Sequence, residues 1–194
     1  EAVGSYNEML LIEPGRPEAI ESLVRMFTDG HCCKPIAEIL EAYYRGVEDW
    51  ENLVNLDLQL IDHLEDHDER YDKFLEIADV YLNNLQMIPE GLGIYGRALC
   101  ERPGDDECLT KIDELSEIIQ DWSNNVTYYQ NAYDVCEDDV IKQDLMLRRA
   151  QTFDVHLEDA ANAEQCYLTV LKYDPEHLVS LEALDRIYAA QERW

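Results

Sequence analysis

An all-α fold, a solenoid of stacked antiparallel helical hairpins, is what this sequence predicts, and three observations predict it. Landmarks recur on one ruler: Tyr95, Pro103 and Trp122 return at one fixed interval as Tyr167, Pro175 and Trp194, and Trp50 precedes Trp122 by that same interval. Apolar residues return at helical spacing along the chain, and no stretch reads as a strand. The connections are all short, so about eleven helices are joined by turns alone.

The elements follow in order. Val3, Tyr6, Leu10 and Leu11 share one helical face, and Pro14-Gly15 stops that helix. Pro17 starts a second helix reaching about Phe27, with Ile20, Leu23, Val24 and Phe27 turned inward. Asp29-Gly30 is a turn, after which Pro35 opens a helix bearing Ile36, Ile39, Leu40 and Tyr43 and closing near Gly46. Trp50, Leu53, Val54, Leu58 and Ile61 mark the next helix, which ends in the acidic stretch Asp62–Arg70. Tyr71–Leu85, Pro89–Leu99 and about 106–119 complete one cycle, with Pro103-Gly104 as a stop. Trp122 is expected to open the second cycle, which proceeds through Tyr129, Leu145, Phe153, Tyr167 and Leu184. Residues matched at the same interval include Asp66/Asp138, Ala78/Ala150 and Leu109/Leu181.

The whole of 1–194 therefore reads as one solenoid. It has an irregular first part (1–47) holding an extra helix, a double-hairpin cycle at 48–119, and a second, truncated cycle at 120–194. Residue 1 is Glu, and Trp194 stands where another helix should open. Both ends are thus expected to be those of a piece of a longer array, whose end faces could pair with each other.

Composition narrows the function. The chain carries 43 acidic residues against 15 basic ones, a net charge of −28. A surface this negative repels phosphate backbones and anionic lipid, so neither nucleic acid nor a membrane is the expected partner. No apolar run is long enough to span a bilayer, and no secretory leader is evident. The acidity either draws basic partners by long-range attraction or only keeps the surface hydrated. Six cysteines contain no CxxC pair, and a chain able to build a core does not need a disulfide framework. Reduced thiols and a cytoplasmic location are expected.

At the level of motifs, Ala78, Tyr81, Gly91, Tyr95, Ala98 and Pro103 form one hairpin pattern, and Ala150, Phe153, Ala163, Tyr167, Val170 and Pro175 another. These resemble the tetratricopeptide repeat (TPR), in a divergent form used in paired units of long bacterial arrays. The resemblance implies a right-handed superhelix whose first helices line a concave groove, and an adaptor that binds peptides or proteins there. Some members grip a terminal carboxylate with groove lysines. The comparable positions here are Asp72, Leu75 and Asp79, then Asp144, Leu147 and Gln151, none of them Lys. With Asp154, the polar members of this set (Asp72, Asp79, Asp144 and Gln151) are the expected contacts for a basic or amphipathic protein segment. The other expectation is a structural spacer, or a regulatory arm of a larger protein, with no ligand of its own.

No arrangement of residues supports catalysis, and no cofactor is expected. Gly91-Leu-Gly-Ile-Tyr-Gly96 spells a dinucleotide fingerprint but lies inside a helix that follows a helix, where small residues serve close packing. His63 and His67, four apart beside Asp62, Asp66 and Asp68, are the candidate metal ligands. Their place at an expected helix end makes solvated side chains the simpler expectation. His31-Cys32-Cys33 is the densest group of soft ligands, without the second pair a tetrahedral site needs. Asn125-Val126-Thr127 is a glycosylation sequon by letters only.

Overall fold

Asp at helix starts and a few left-handed residues at helix ends explain most of the chain's segmentation. The computed structural model describes residues 16–30 and 33–191. Among them are ten α-helices and no strand, so the all-α expectation holds. The expected helix at 1–13, the residues Tyr6, Pro14, His31 and Cys32, and Trp194 lie outside the described residues.

The chain forms two compact units, one through Met87 and one from Ile88 onward. This boundary falls inside the expected 48–119 cycle. Unit 1 contains α1 (Pro17–Thr28), α2 (Cys33–Gly46), α3 (Trp50–Ile61) and α4 (His67–Asp79), the last continuing as a π-helical turn, Val80–Leu85. Unit 2 contains α5 (Ile88–Glu101), α6 (Asp106–Ile119), α7 (Asn125–Val135) and α8 (Asp139–Gln151) with a second π-helical turn, Thr152–His156. It closes with α9 (Ala160–Tyr173) and α10 (Leu178–Ala190). Within each unit, helices adjacent in the chain pack on one another, and α5 also packs on α7.

The ruler read from the letters reappears in the backbone. The two π-helical turns begin one interval apart, at Val80 and Thr152, as do α5 and α9, and α6 and α10. Left-handed residues obey the same interval: Glu48 and Gln120, each at φ 55°, and Gln86 and Glu158, at φ 56° and 52°. None of the four is glycine, so each turn holds a conformation that L-residues adopt at a cost. Start signals recur as well. The side chains of Asp66 and Asp138 accept from backbone N–H groups at the starts of α4 and α8, and Asp49, Asp105 and Asp159 do the same elsewhere. Part of the chain's acidity therefore serves helix starts, where carboxylates also meet the positive end of the helix dipole.

Unit 1 buries Leu23, Phe27, Ile36, Leu40, Leu53 and Ile77, and unit 2 buries Leu99, Ile112, Tyr129, Leu145 and Tyr167. Some inward assignments change. Tyr44, not Tyr43, is buried on α2, and Val24 is exposed. Trp50 opens α3 as expected, but Trp122 precedes α7. An Asp121 carboxylate accepting from the Ser123 N–H at 2.8 Å and an Asn125 N–H to Trp122 carbonyl bond of 3.1 Å fold this stretch into a turn. That turn postpones the helix to Asn125.

The glycines of the dinucleotide-like motif lie within α5, as packing residues. A Cβ added to Gly96 would overlap the Tyr128 ring of α7, and one at Gly93 would stand 3.7 Å from the Tyr128 hydroxyl. Gly104, at φ 81°, sits against Ile141 at the start of α8. Asn125 of the sequon is fully buried, its amide oxygen accepting from the Ser116 hydroxyl at 2.8 Å, so its side chain is out of reach of glycosylation in the folded chain.

Candidate interaction clefts

Each unit holds a polar cleft, and the two clefts use helices equivalent by the ruler: α2, α3 and α4 in unit 1; α6, the turn before α7, and α8 in unit 2.

The unit 1 cleft encloses about 240 Å³. Five carboxylates line it: Glu38 and Glu41 from α2, and Glu69, Asp72 and Glu76 from α4. Leu60 and Leu64 provide an apolar patch, and Lys34 and Lys73 are the cations of the lining. Both lysines are engaged by the same wall. Lys34 Nζ lies 2.7 Å from Glu69, and Lys73 Nζ donates to Glu76 at 2.7 Å and Glu41 at 3.2 Å. Burial works against the Lys73 charge, but Glu76, Asp57 and Glu41 outweigh it and raise its pKa. Arg45 approaches Glu76 at 3.5 Å. Beneath this wall lies Asp57 of α3, fully buried, with neither carboxylate oxygen in a hydrogen bond. Desolvation is the main cause that pushes its pKa up to about 7; Lys73 opposes the rise, and Glu41 and Glu76 add to it.

The unit 2 cleft encloses about 270 Å³ between Asp113 and Glu117 of α6, Trp122, and Arg148, Gln151 and Thr152 of α8 with His156. The indole of Trp122 stacks on the His156 ring, centroids 4.1 Å apart and planes 14° from parallel. Arg148 bridges Asp144 at 2.8 Å and Asp113 at 3.1 Å. The other oxygen of Asp113 accepts from the Tyr129 hydroxyl at 2.6 Å. Burial first, and the Asp113 charge second, hold the Tyr129 hydroxyl well above its ordinary value.

The sequence-derived site residues divide between these places. Asp72 lines the unit 1 cleft and Gln151 the unit 2 cleft, while Asp144 flanks the latter through Arg148. Asp79 is exposed and accepts from the Asn83 amide at 2.5 Å, outside either lining. Asp154 is consumed internally: its carboxylate accepts from the Tyr167 hydroxyl at 3.1 Å and pairs with Arg186. His63 and His67 do not share a helical turn. His63 follows the end of α3, with its ring edge-on to Phe27 at 6.2 Å. His67 opens α4, and its Nδ1 lies 2.9 Å from Arg70. Among the described residues no group of His, Cys, Asp and Glu is arranged to hold a metal ion.

Sequence reasoning passed over Asp57, although a signal was present. It falls four positions after Leu53 and four before Ile61, a charged residue in the middle of an apolar stripe. Arg148 and Tyr129 were likewise legible only as a polar and an apolar position; nothing in the spacing told that they meet at Asp113.

Fold and clefts together define an all-α protein with helical-repeat character, and no described helix is long and apolar enough to cross a membrane. The chain matches no model of a known protein family and no curated protein.

Proposed function

We propose that this chain is a protein–protein interaction scaffold of TPR-like, right-handed solenoid type, taking basic or amphipathic segments in its acidic clefts. The observation that carries this reading is the unit 1 cleft, where five carboxylates and two leucines face one hollow against two lysines. A basic side chain entering it meets Glu38 and Asp72, which are exposed and adjoin the apolar patch. Such binding is steered by charge and weakens as salt screens it. We take the chain as cytoplasmic, a reducing setting that suits the thiols Cys100, Cys136 and Cys166, the last two buried. We propose no catalytic role.

Titration of basic amphipathic helical peptides into the protein at low and high salt tests this, with Glu38→Gln/Asp72→Asn as the cleft variant. Binding should weaken about tenfold or more between about 50 and 500 mM salt, and the double variant should weaken it further. Binding indifferent to salt and to both substitutions would remove the cleft as the site.

One observation favours the second reading, a spacer or regulatory arm without a ligand. Asp49, Asp66, Asp105, Asp138 and Asp159 cap helices, and Asp154 serves Tyr167 and Arg186. Much of the acidity thus has structural work of its own. No binding by any basic peptide, together with full stability, would favour this reading.

A further inference from the structure

The repeat supplies its own comparison for the orphaned carboxylate of α3. On the ruler set by Trp50 and Trp122, Asp57 corresponds to Tyr129, Glu41 to Asp113, and Glu76 to Arg148. In unit 2 this corner is satisfied: a hydroxyl donates to Asp113, and a guanidinium neutralises it. In unit 1 all three equivalent positions are carboxyl groups. An ionised carboxylate can only accept, and Asp57 has no donor to accept from. Burying it charged and unpaired is among the most costly arrangements a fold can hold. A protonated Asp57 becomes a donor, and the group it would donate to is Glu41, the counterpart of the acceptor Asp113.

We propose that Asp57 is the proton-holding half of a carboxyl–carboxylate pair with Glu41, and that unit 1 is thereby built to loosen when that proton is lost. The groups that face Asp57 are Glu41 on α2 and Lys73 and Glu76 on α4. Arg45 on α2 reaches the corner through Glu76, and the π-helical turn packed on α3 carries one titratable residue, Tyr81. With the proton in place, Lys73 serves two carboxylates, Glu41 and Glu76. Without it, three carboxyl charges surround one ammonium, and the packing of α2 and α4 on α3 must give to admit water. The rise of the Asp57 pKa to about 7 agrees with this and sets the window. A group whose folded pKa is raised stabilises fully below its unfolded pKa, and that stability is lost as pH rises through the folded value. For Asp57 the loss runs from the ordinary carboxylate range up to neutrality. The same wall lines the proposed binding cleft, but the loosening requires no ligand.

Two measurements test it on the intact chain. Carboxyl ¹³C NMR titration should show Asp57 changing at about pH 7, far above the exposed carboxylates, and Glu41→Gln should move that midpoint downward. Denaturant unfolding from about pH 5 to 9 should show wild type losing stability through neutrality, with Asp57→Asn flattening that part of the loss. An Asp57 midpoint in the ordinary carboxylate range overturns the proposal, and so does an identical pH profile in Asp57→Asn. A midpoint unmoved by Glu41→Gln overturns the pairing. If Asp57→Asn does not fold, the wild-type NMR midpoint decides the matter.

Discussion

Two corners of one repeat solve the same problem with different chemistry. Below the cleft of unit 2, Tyr129 fills the space between α6 and α8 with a ring and directs its hydroxyl to Asp113, which Arg148 then neutralises. Below the cleft of unit 1, the shorter Asp57 occupies the same register and meets Glu41, Glu76 and the cation Lys73. Helix positions, π-helical turns and left-handed residues repeat around both corners at the interval of the ruler. Backbone architecture is thus set by a few caps and turns, while charge and stability are free to diverge between copies.

The largest expected effect concerns close packing. Gly96 and Leu168 are equivalent by the ruler, yet Gly96 lies against the Tyr128 ring while Leu168 is exposed. Gly96→Leu should cost about 3 kcal/mol or more through overpacking, whereas Leu168→Gly should cost about 1 kcal/mol, a helix-propensity effect. Urea unfolding of both variants reads the difference; equal costs would deny that α5 and α7 meet through Gly96.

Next comes the satisfied corner. Tyr129→Phe keeps the ring and removes the donor, so unit 2 should lose about 1–2 kcal/mol near neutral pH. The folded pKa of Tyr129 is raised, so its contribution is complete below about pH 10 and is lost as pH rises through the higher folded value. Alkaline unfolding should therefore separate wild type from the variant by a margin that narrows above that pH. A margin constant to the most alkaline conditions would contradict the Tyr129–Asp113 bond.

The smallest effects lie in the turns. Replacing Gln86 or Glu158 by Gly should stabilise by roughly 0.5–1 kcal/mol each, because only Gly holds positive φ without steric cost. Thermal unfolding checks this. Opposite signs at the two positions would show that the shared conformation hides different contacts.

Much of this fold was legible in the sequence, for identifiable reasons. Pro17 announced a helix start, and Gly104 and Pro175 announced stops, because proline and turn geometry are local. Asp66 and Asp138 matched by letter only, and α4 starts at His67, inside the acidic stretch expected to end a helix, because Asp66 caps it. The repeat interval needed only matched letters. Burial was legible less well: Leu109 and Leu181 match by letter, but Leu109 is 1% exposed and Leu181 42%. What covers a residue depends on its neighbours in space, which a periodic pattern does not record. Trp122 misled for a local reason, since the Asp121 carboxylate and the Trp122 carbonyl fold 121–125 into a turn and delay the helix to Asn125, whereas its indole stacks on His156, far beyond it in the chain. The clefts were hardest. Asp72 and Gln151, taken from the groove positions of the TPR resemblance, line the two clefts, but Asp154, expected with them, is occupied by Tyr167 and Arg186, a pairing that the letters do not record.

Hydrogen exchange of backbone amides, followed by mass spectrometry at about pH 5.5 and pH 8.5 and corrected for intrinsic rates, compares the two corners within one molecule. Protection in α2, α3 and α4 should fall with rising pH while that in α6, α7 and α8 holds, and Asp57→Asn should abolish the difference. Protection that changes equally in both sets of helices, or falls first around Tyr129, would contradict it.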